Sequence, residues 1–216
     1  RLMAALKDPD DRARMKREIA SEGLRDVWLT NFKQPQNHQY DGRRLIDIAE
    51  LRGQEPVDAL FELLVQEDLG VNMVGLGTNP HTLSAFVSHP YGMIASDAIL
   101  FGEYPNPRTY GCFPIVLAEF VRAEKHLKLP EAIRKMTSFP AQRLGLPDRG
   151  LLRNGFKADI VIFNPDTVKT HATKEDPKHY PVGIHYVIVN GKVVIENGEN
   201  TGVLPGRGLR RGRAST

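Results

Sequence analysis

The sequence changes its pattern once, and that change limits the possible folds more than any other feature. From Val71 to Leu127, short apolar runs alternate with amphipathic ones: Val71 to Leu76 reads as a buried strand, Pro80 to Val87 as a helix, Gly92 to Ser96 as a strand and Phe113 to Leu127 as a helix. Repeated strand-then-helix order predicts parallel β-structure covered by helices, either a doubly wound sheet or part of a (β/α)8 barrel. No phosphate-binding glycine fingerprint follows any of these strands, which tips the balance toward the barrel. Beyond Gly145 the alternation stops. Ala158 to Phe163, Ile184 to Val189 and Lys192 to Glu196 are β-rich with no amphipathic helix between them, and Asn190-Gly191 is a two-residue hairpin signal for a type I′ turn. The expected class is therefore α/β followed by a smaller all-β part. The boundary falls near 145–150, giving segments 1–147 and 148–216.

The first seventy residues carry their own punctuation. Asp8-Pro9 followed by Asp10 and Asp11 predicts a helix start, with a capping side chain, proline in the first turn and acidic residues at the positive end of the dipole; Gly23 is expected to end that helix. Val27 to Thr30 suits a short strand, and the polar stretch Lys33 to Gly42 suits a loop. Pro56 opens a helix whose Val57, Leu60, Phe61, Leu64 and Val65 form one inward stripe, with Gly70 closing it.

Composition removes several classes. The 216 residues are 41% hydrophobic and 25% charged, which excludes a disordered or fibrous chain. A single cysteine, Cys112, forms no intrachain disulfide and no multi-cysteine zinc site, which suits a cytoplasmic protein. No window is long and apolar enough for a membrane span, so no membrane partner is expected. The net charge of +3 owes much to Arg207, Arg210, Arg211 and Arg213 in the tail. That tail lacks interleaved aromatics, so no nucleic-acid partner is expected either. The chain opens at Arg1 in a charged segment, with neither an initiator methionine nor a signal peptide's apolar stretch, and reads as a piece of something longer.

In parallel α/β architectures, reacting groups sit where strands end. Asp97 closes the run Gly92-Met93-Ile94-Ala95-Ser96 and opens the long irregular stretch Ala98 to Gly111, which carries Arg108 and Tyr110. Asp97 is the leading candidate for chemistry; the competing reading makes it a loop cap or the ion-pair partner of Arg108. His81, His89, His126, His171, His179 and His185 show no metal-site spacing such as His-Glu-x-x-His, so no metal site is expected within this chain. Nothing in the sequence pairs Cys112 with a histidine as a thiol nucleophile.

Residues 131–145, Glu-Ala-Ile-Arg-Lys-Met-Thr-Ser-Phe-Pro-Ala-Gln-Arg-Leu-Gly, followed by Asp148-Arg149-Gly150 and Gly155-Phe156-Lys157-Ala158-Asp159-Ile160-Val161, resemble the C-terminal signature of the metal-dependent amidohydrolases. Within that superfamily the chain is similar to the N-acyl-D-amino-acid deacylases, or D-aminoacylases. The resemblance rests on Ser96-Asp97, Pro107-Arg108-Thr109-Tyr110-Gly111, Phe113-Pro114, Glu175-Asp176-Pro177, Val189-Asn190-Gly191-Lys192-Val193-Val194 and the stretch from Thr201-Gly202 to Pro205-Gly206-Arg207. It spans nearly the whole chain. Two positions depart from the family pattern: Ala98 stands where glycine is usual, and Asn106 where histidine is usual.

The resemblance implies the C-terminal part of a TIM-type (β/α)8 barrel followed by part of a small β-sandwich. It implies a zinc-dependent hydrolase of N-acyl-D-amino acids whose metal ligands lie upstream of Arg1, so that this chain alone is expected to be inactive. The partners are then a small N-acyl amino acid and the missing N-terminal part of the same protein. Asp97 would act as general base and then acid, Arg108 would clamp the substrate carboxylate, and Tyr110 would shape the pocket. A cyclic-amide hydrolase resembling dihydroorotase or hydantoinase, and a catalytically inactive scaffold, are the alternatives.

Overall fold

The computed structural model describes residues 1–19, 24, 26–75 and 79–210, which pack as two compact units. The first comprises Arg1–Thr78, Ile99–Pro107 and Thr173–Lys178. The second comprises Asn79–Ala98, Arg108–Ala172 and His179–Thr216.

In the first unit, α1 (Leu2–Lys7) and α2 (Pro9–Glu18) meet at Asp8, whose carboxylate accepts from the backbone N–H groups of Asp10 and Asp11 at 3.0 and 2.9 Å. That is the cap the sequence predicts. Helix α2 stops at Glu18; Gly23, the expected end, lies outside the described residues. Strand β1 (Val27–Thr30) is the centre of a three-stranded sheet, flanked by β2 (Arg43–Arg44) and β3 (Asn72–Gly75). Leu76, the expected end of that last strand, lies outside the described residues.

Both pairings are antiparallel; the parallel expectation concerned the alternation from Val71 to Leu127, of whose expected strands only β3 pairs among the described residues. A parallel crossover uses one helix to bring the chain back to its starting end. Here the short strand β2 and two helices, α3 (Leu45–Leu51) and α4 (Pro56–Gln66), lie between β1 and β3, so the connection is not the single-helix crossover of a βαβ unit.

Helix α4 buries more than the expected stripe. Ala59 and Leu63 join Val27, Leu29, Leu45 and Ile48, while Val57 and Phe61 pack with Leu6 on another flank. It ends at Gln66 rather than running to Gly70. The next residue, the buried Glu67, accepts from the backbone N–H groups of Lys33 and Gln34 at 2.6 and 3.1 Å and from the Asn37 amide at 2.7 Å. These bonds satisfy a buried carboxylate and tie down the stretch expected to be plain loop. That stretch contains a 3-10 helix, Pro35–Tyr40.

The second unit holds α5 (Pro80–Ser88), α6 (Arg108–Ile115), α7 (Leu129–Met136) and α8 (Ser138–Leu144). Helix α6 begins at Arg108, ahead of the expected Phe113, and continues as wider π-helical turns over Val116–Ala123. Pro114 removes a backbone donor just before the change. Buried Val116, Leu117, Leu127, Ala132 and Val168 form the core, with Ile94 and Ile184 packed against it.

Strands β4 (Ile160–Phe163), β5 (Ile184–Val189), β6 (Lys192–Glu196) and β7 (Glu199–Asn200) form one antiparallel sheet in that order. The hairpin turns at Asn190-Gly191 with φ of 49° and 75°, the two positive angles that a type I′ turn requires. Arg149 braces this turn: its guanidinium donates to the carboxylate of Asp159 and to the side-chain carbonyl of Asn190. Among the described residues, no helix is long and apolar enough to cross a membrane.

Candidate active site

Asp97 is delivered by a segment that is extended without being a strand. Residues 92–96 were expected to form β-structure, but among the described residues they have no ladder partner. A β-prone run becomes a strand only when a neighbour accepts its backbone bonds. The Ile94 N–H instead donates to the main-chain carbonyl of Lys135 in α7, at 3.1 Å. The run ends at Asp97, whose φ of 46° turns the backbone into the left-handed region that aspartate tolerates better than bulky residues.

Arg108, expected within the loop, opens α6 instead. Its Nη2 donates to Asp97 Oδ2 at 2.7 Å, closing an ion pair between residues eleven apart. The two candidates thus meet, and the partnership weighed in the sequence is real. The Asp97 side chain is 82% exposed and that of Arg108 47%. An exposed pair of this kind contributes about 0–1 kcal/mol, so it holds the fold weakly and can exchange partners.

One turn further along α6, the Cys112 thiol faces the Ala95 carbonyl, with Sγ 3.5 Å from the oxygen. Burial pushes this thiol above its ordinary range, only partly offset by the nearby Arg108 charge. That makes it a poor nucleophile at neutral pH. Tyr110 is turned toward Tyr180, ring edge to ring face at 5.5 Å between centroids. Gly111 lets α6 approach Thr170, because a Cβ at this position would stand 2.7 Å from Thr170 Oγ1.

The histidines do not converge. His81 lies in the first turn of α5, His89 caps its end, His185 is on β5, and His126 sits 3.2 Å from Glu124. Among the described residues, no group of three His, Cys, Asp or Glu side chains is placed to hold a metal ion. The residues present therefore do not fit a metal centre by themselves. They offer a carboxylate able to exchange a proton and a guanidinium able to hold an anion.

Sequence reasoning missed Lys135, which is fully buried and reaches the turn that precedes this segment. A signal was there: Lys135 shares a helix face with Ala132, in the apolar stripe of α7.

The profile of the family described as Amidohydrolase family matches residues 20–195. The chain is 39% identical over 171 residues to an N-acyl-D-aspartate deacylase of Alcaligenes xylosoxydans xylosoxydans, covering 79% of this chain and 31% of that protein. The crystal structure of a D-aminoacylase superposes with a TM-score of 0.78 at 34% identity, over 86% of this chain and 38% of that one. An N-acyl-D-glutamate deacylase from Bordetella bronchiseptica, complexed with zinc and a phosphonate inhibitor, superposes with a TM-score of 0.73 at 32% identity, over 81% of this chain and 35% of that one. The chain spans about a third of the length of the three deacylase relatives it matches, 31 to 37%. Its fold is that of part of the D-aminoacylase fold, a TIM-type barrel with a small β domain.

Proposed function

The chain belongs to the amidohydrolase family, and from that premise we propose that it is the C-terminal share of a hydrolase that cleaves the amide bond of N-acyl-D-amino acids. In this reading residues 1–147 belong to the barrel and 148–216 to the β-sandwich. The protein works in the cytoplasm, together with the N-terminal remainder of the same polypeptide. Zinc is held by residues preceding Arg1, and the residues described here contribute proton transfer and carboxylate binding.

Amide hydrolysis needs a proton taken from water and a proton given to the leaving amine. Asp97 accepts the first at a carboxylate oxygen and returns it to the amine nitrogen. Arg108 holds the α-carboxylate of the substrate, for which a planar guanidinium offers two parallel donors. When a substrate carboxylate takes over Arg108, Asp97 loses its partner and its oxygens become available to the reaction. Tyr110 borders the same helix turn and shapes the pocket.

The observation that carries this reading is the 2.7 Å pairing of Asp97 with Arg108 at the head of α6, exposed and weakly held. The test is a substrate panel on the whole protein with zinc. Hydrolysis of N-acyl-D-amino acids, with cyclic amides such as dihydroorotate and hydantoins untouched, is the expected result. Turnover of the cyclic amides alone would overturn it.

A further inference from the structure

Helix α7 carries a lysine where a surface residue does not belong. Lys135 has 0% exposure, like Ala132 on the same face. Its ammonium donates to the His89 carbonyl and, at 3.0 Å, to the Gly92 carbonyl. Its own main-chain carbonyl accepts from Ile94. The neighbouring Arg134 reaches the Pro90 carbonyl at 3.0 Å, fixed in turn by Glu131 and by the ring of Phe139 at 4.3 Å. One helix therefore grips residues 89–94 through both side chains and main chain.

Burying an ammonium is costly, and an apolar side chain of equal length would pack α7 with less penalty. What the lysine provides is a hold on backbone carbonyls just before a segment that lacks ladder bonds. That segment runs directly into Asp97. We propose that Lys135 is a positioning residue for the reaction: by binding the His89 and Gly92 carbonyls from α7, it fixes the extended segment that delivers Asp97, in place of the ladder bonds of a strand. The proposal rests on the reading of Asp97 as proton acceptor and donor.

Lys135→Met keeps side-chain length and volume but removes the donors. In the whole zinc-loaded protein, kcat should fall by about 10- to 100-fold, the usual scale for a slightly misplaced reacting group, while KM stays within about 3-fold. Amide exchange at Ile94 should quicken, and exchange at Val187 and Ile195 in the β5–β6 pair should not. Asp97→Asn, assayed alongside, separates the two levels. If it abolishes turnover while Lys135→Met leaves kcat unchanged, the positioning proposal fails alone. If Asp97→Asn leaves kcat unchanged, the reading beneath it fails.

Gly92→Ala gives a second route should Lys135→Met not fold. A Cβ at this position would stand 2.9 Å from the Phe86 carbonyl oxygen and 3.2 Å from that of His89, displacing the same turn with Lys135 intact. The same loss in kcat is expected. Quickened Ile94 exchange with unchanged kcat would overturn the proposal.

Discussion

Replacing Arg149 with leucine should loosen the C-terminal β segment by about 2 kcal/mol, a figure that follows from what the guanidinium leaves behind. The Arg149 side chain is 8% exposed and its partner Asp159 33%. Removing one member of a fully buried pair costs about 3–5 kcal/mol, because the other charge is stranded without water. Two features reduce that cost. Water reaches the Asp159 carboxylate, which solvates part of the stranded charge. Asp159 Oδ1 also keeps the 2.8 Å bond from the Asn190 backbone N–H, and the Asn190 amide keeps its 2.8 Å bond to the Pro205 carbonyl. Urea unfolding followed by far-UV circular dichroism is the assay, because its signal includes the β segment that Arg149 braces, whereas Trp28 lies in the first unit. The midpoint should fall with the slope unchanged. A loss below about 0.5 kcal/mol would mean that Arg149 behaves as a surface residue and that the clasp does not hold the turn.

Three further outcomes are expected. Gly191→Val should cost about 1–2 kcal/mol in the same unfolding assay, because φ is 75° and nothing lies within 4 Å of an added Cβ, so the penalty is purely one of backbone conformation. The Glu62 carboxyl is held below the ordinary glutamate range by its hydrogen bond from Gln54 and then by Arg52, so its stabilising effect is present above that range and is lost as pH falls through the lowered value. Glu62→Gln should accordingly flatten the acid limb of a stability-against-pH curve. The buried Cys112 thiol should react with iodoacetamide more slowly than free cysteine, and Arg108→Ala should slow it further by removing the charge that favours the thiolate.

Local chemistry was legible wherever a residue's own side chain decides its backbone. Asp8-Pro9 announces its helix, Pro56 starts α4, and Asn190-Gly191 turns the hairpin, each through contacts a few residues away. What depends on distant neighbours was not legible. Gly92 to Ser96 has the composition of a strand, yet strand formation is a property of the pair, and α7 supplies the hydrogen-bond partner instead. The direction of β3 against β1 is likewise set by the whole connection between them, β2 included, rather than by the β-run itself. Asp97 stands out by its place at the end of an apolar run, whereas the role of Arg108 comes from the family resemblance, and their pairing is the alternative that the sequence leaves open. For Lys135 the face it shares with Ala132 hints at burial, but a lysine near a helix end ordinarily faces solvent, and the packing of α7 against residues 89–94 is what shows where its ammonium goes.

The most direct test of the account is the effect of Arg108→Lys on substrates with and without a carboxylate, measured in the whole protein with zinc. Lysine keeps the charge and loses the planar fork. KM for N-acyl-D-amino acids should rise by the equivalent of about 1–3 kcal/mol with kcat much less affected, while the corresponding carboxamides, which have nothing for the fork to hold, should barely change. Equal damage to both substrate classes would contradict the account, leaving Arg108 as the structural partner of Asp97 and nothing more.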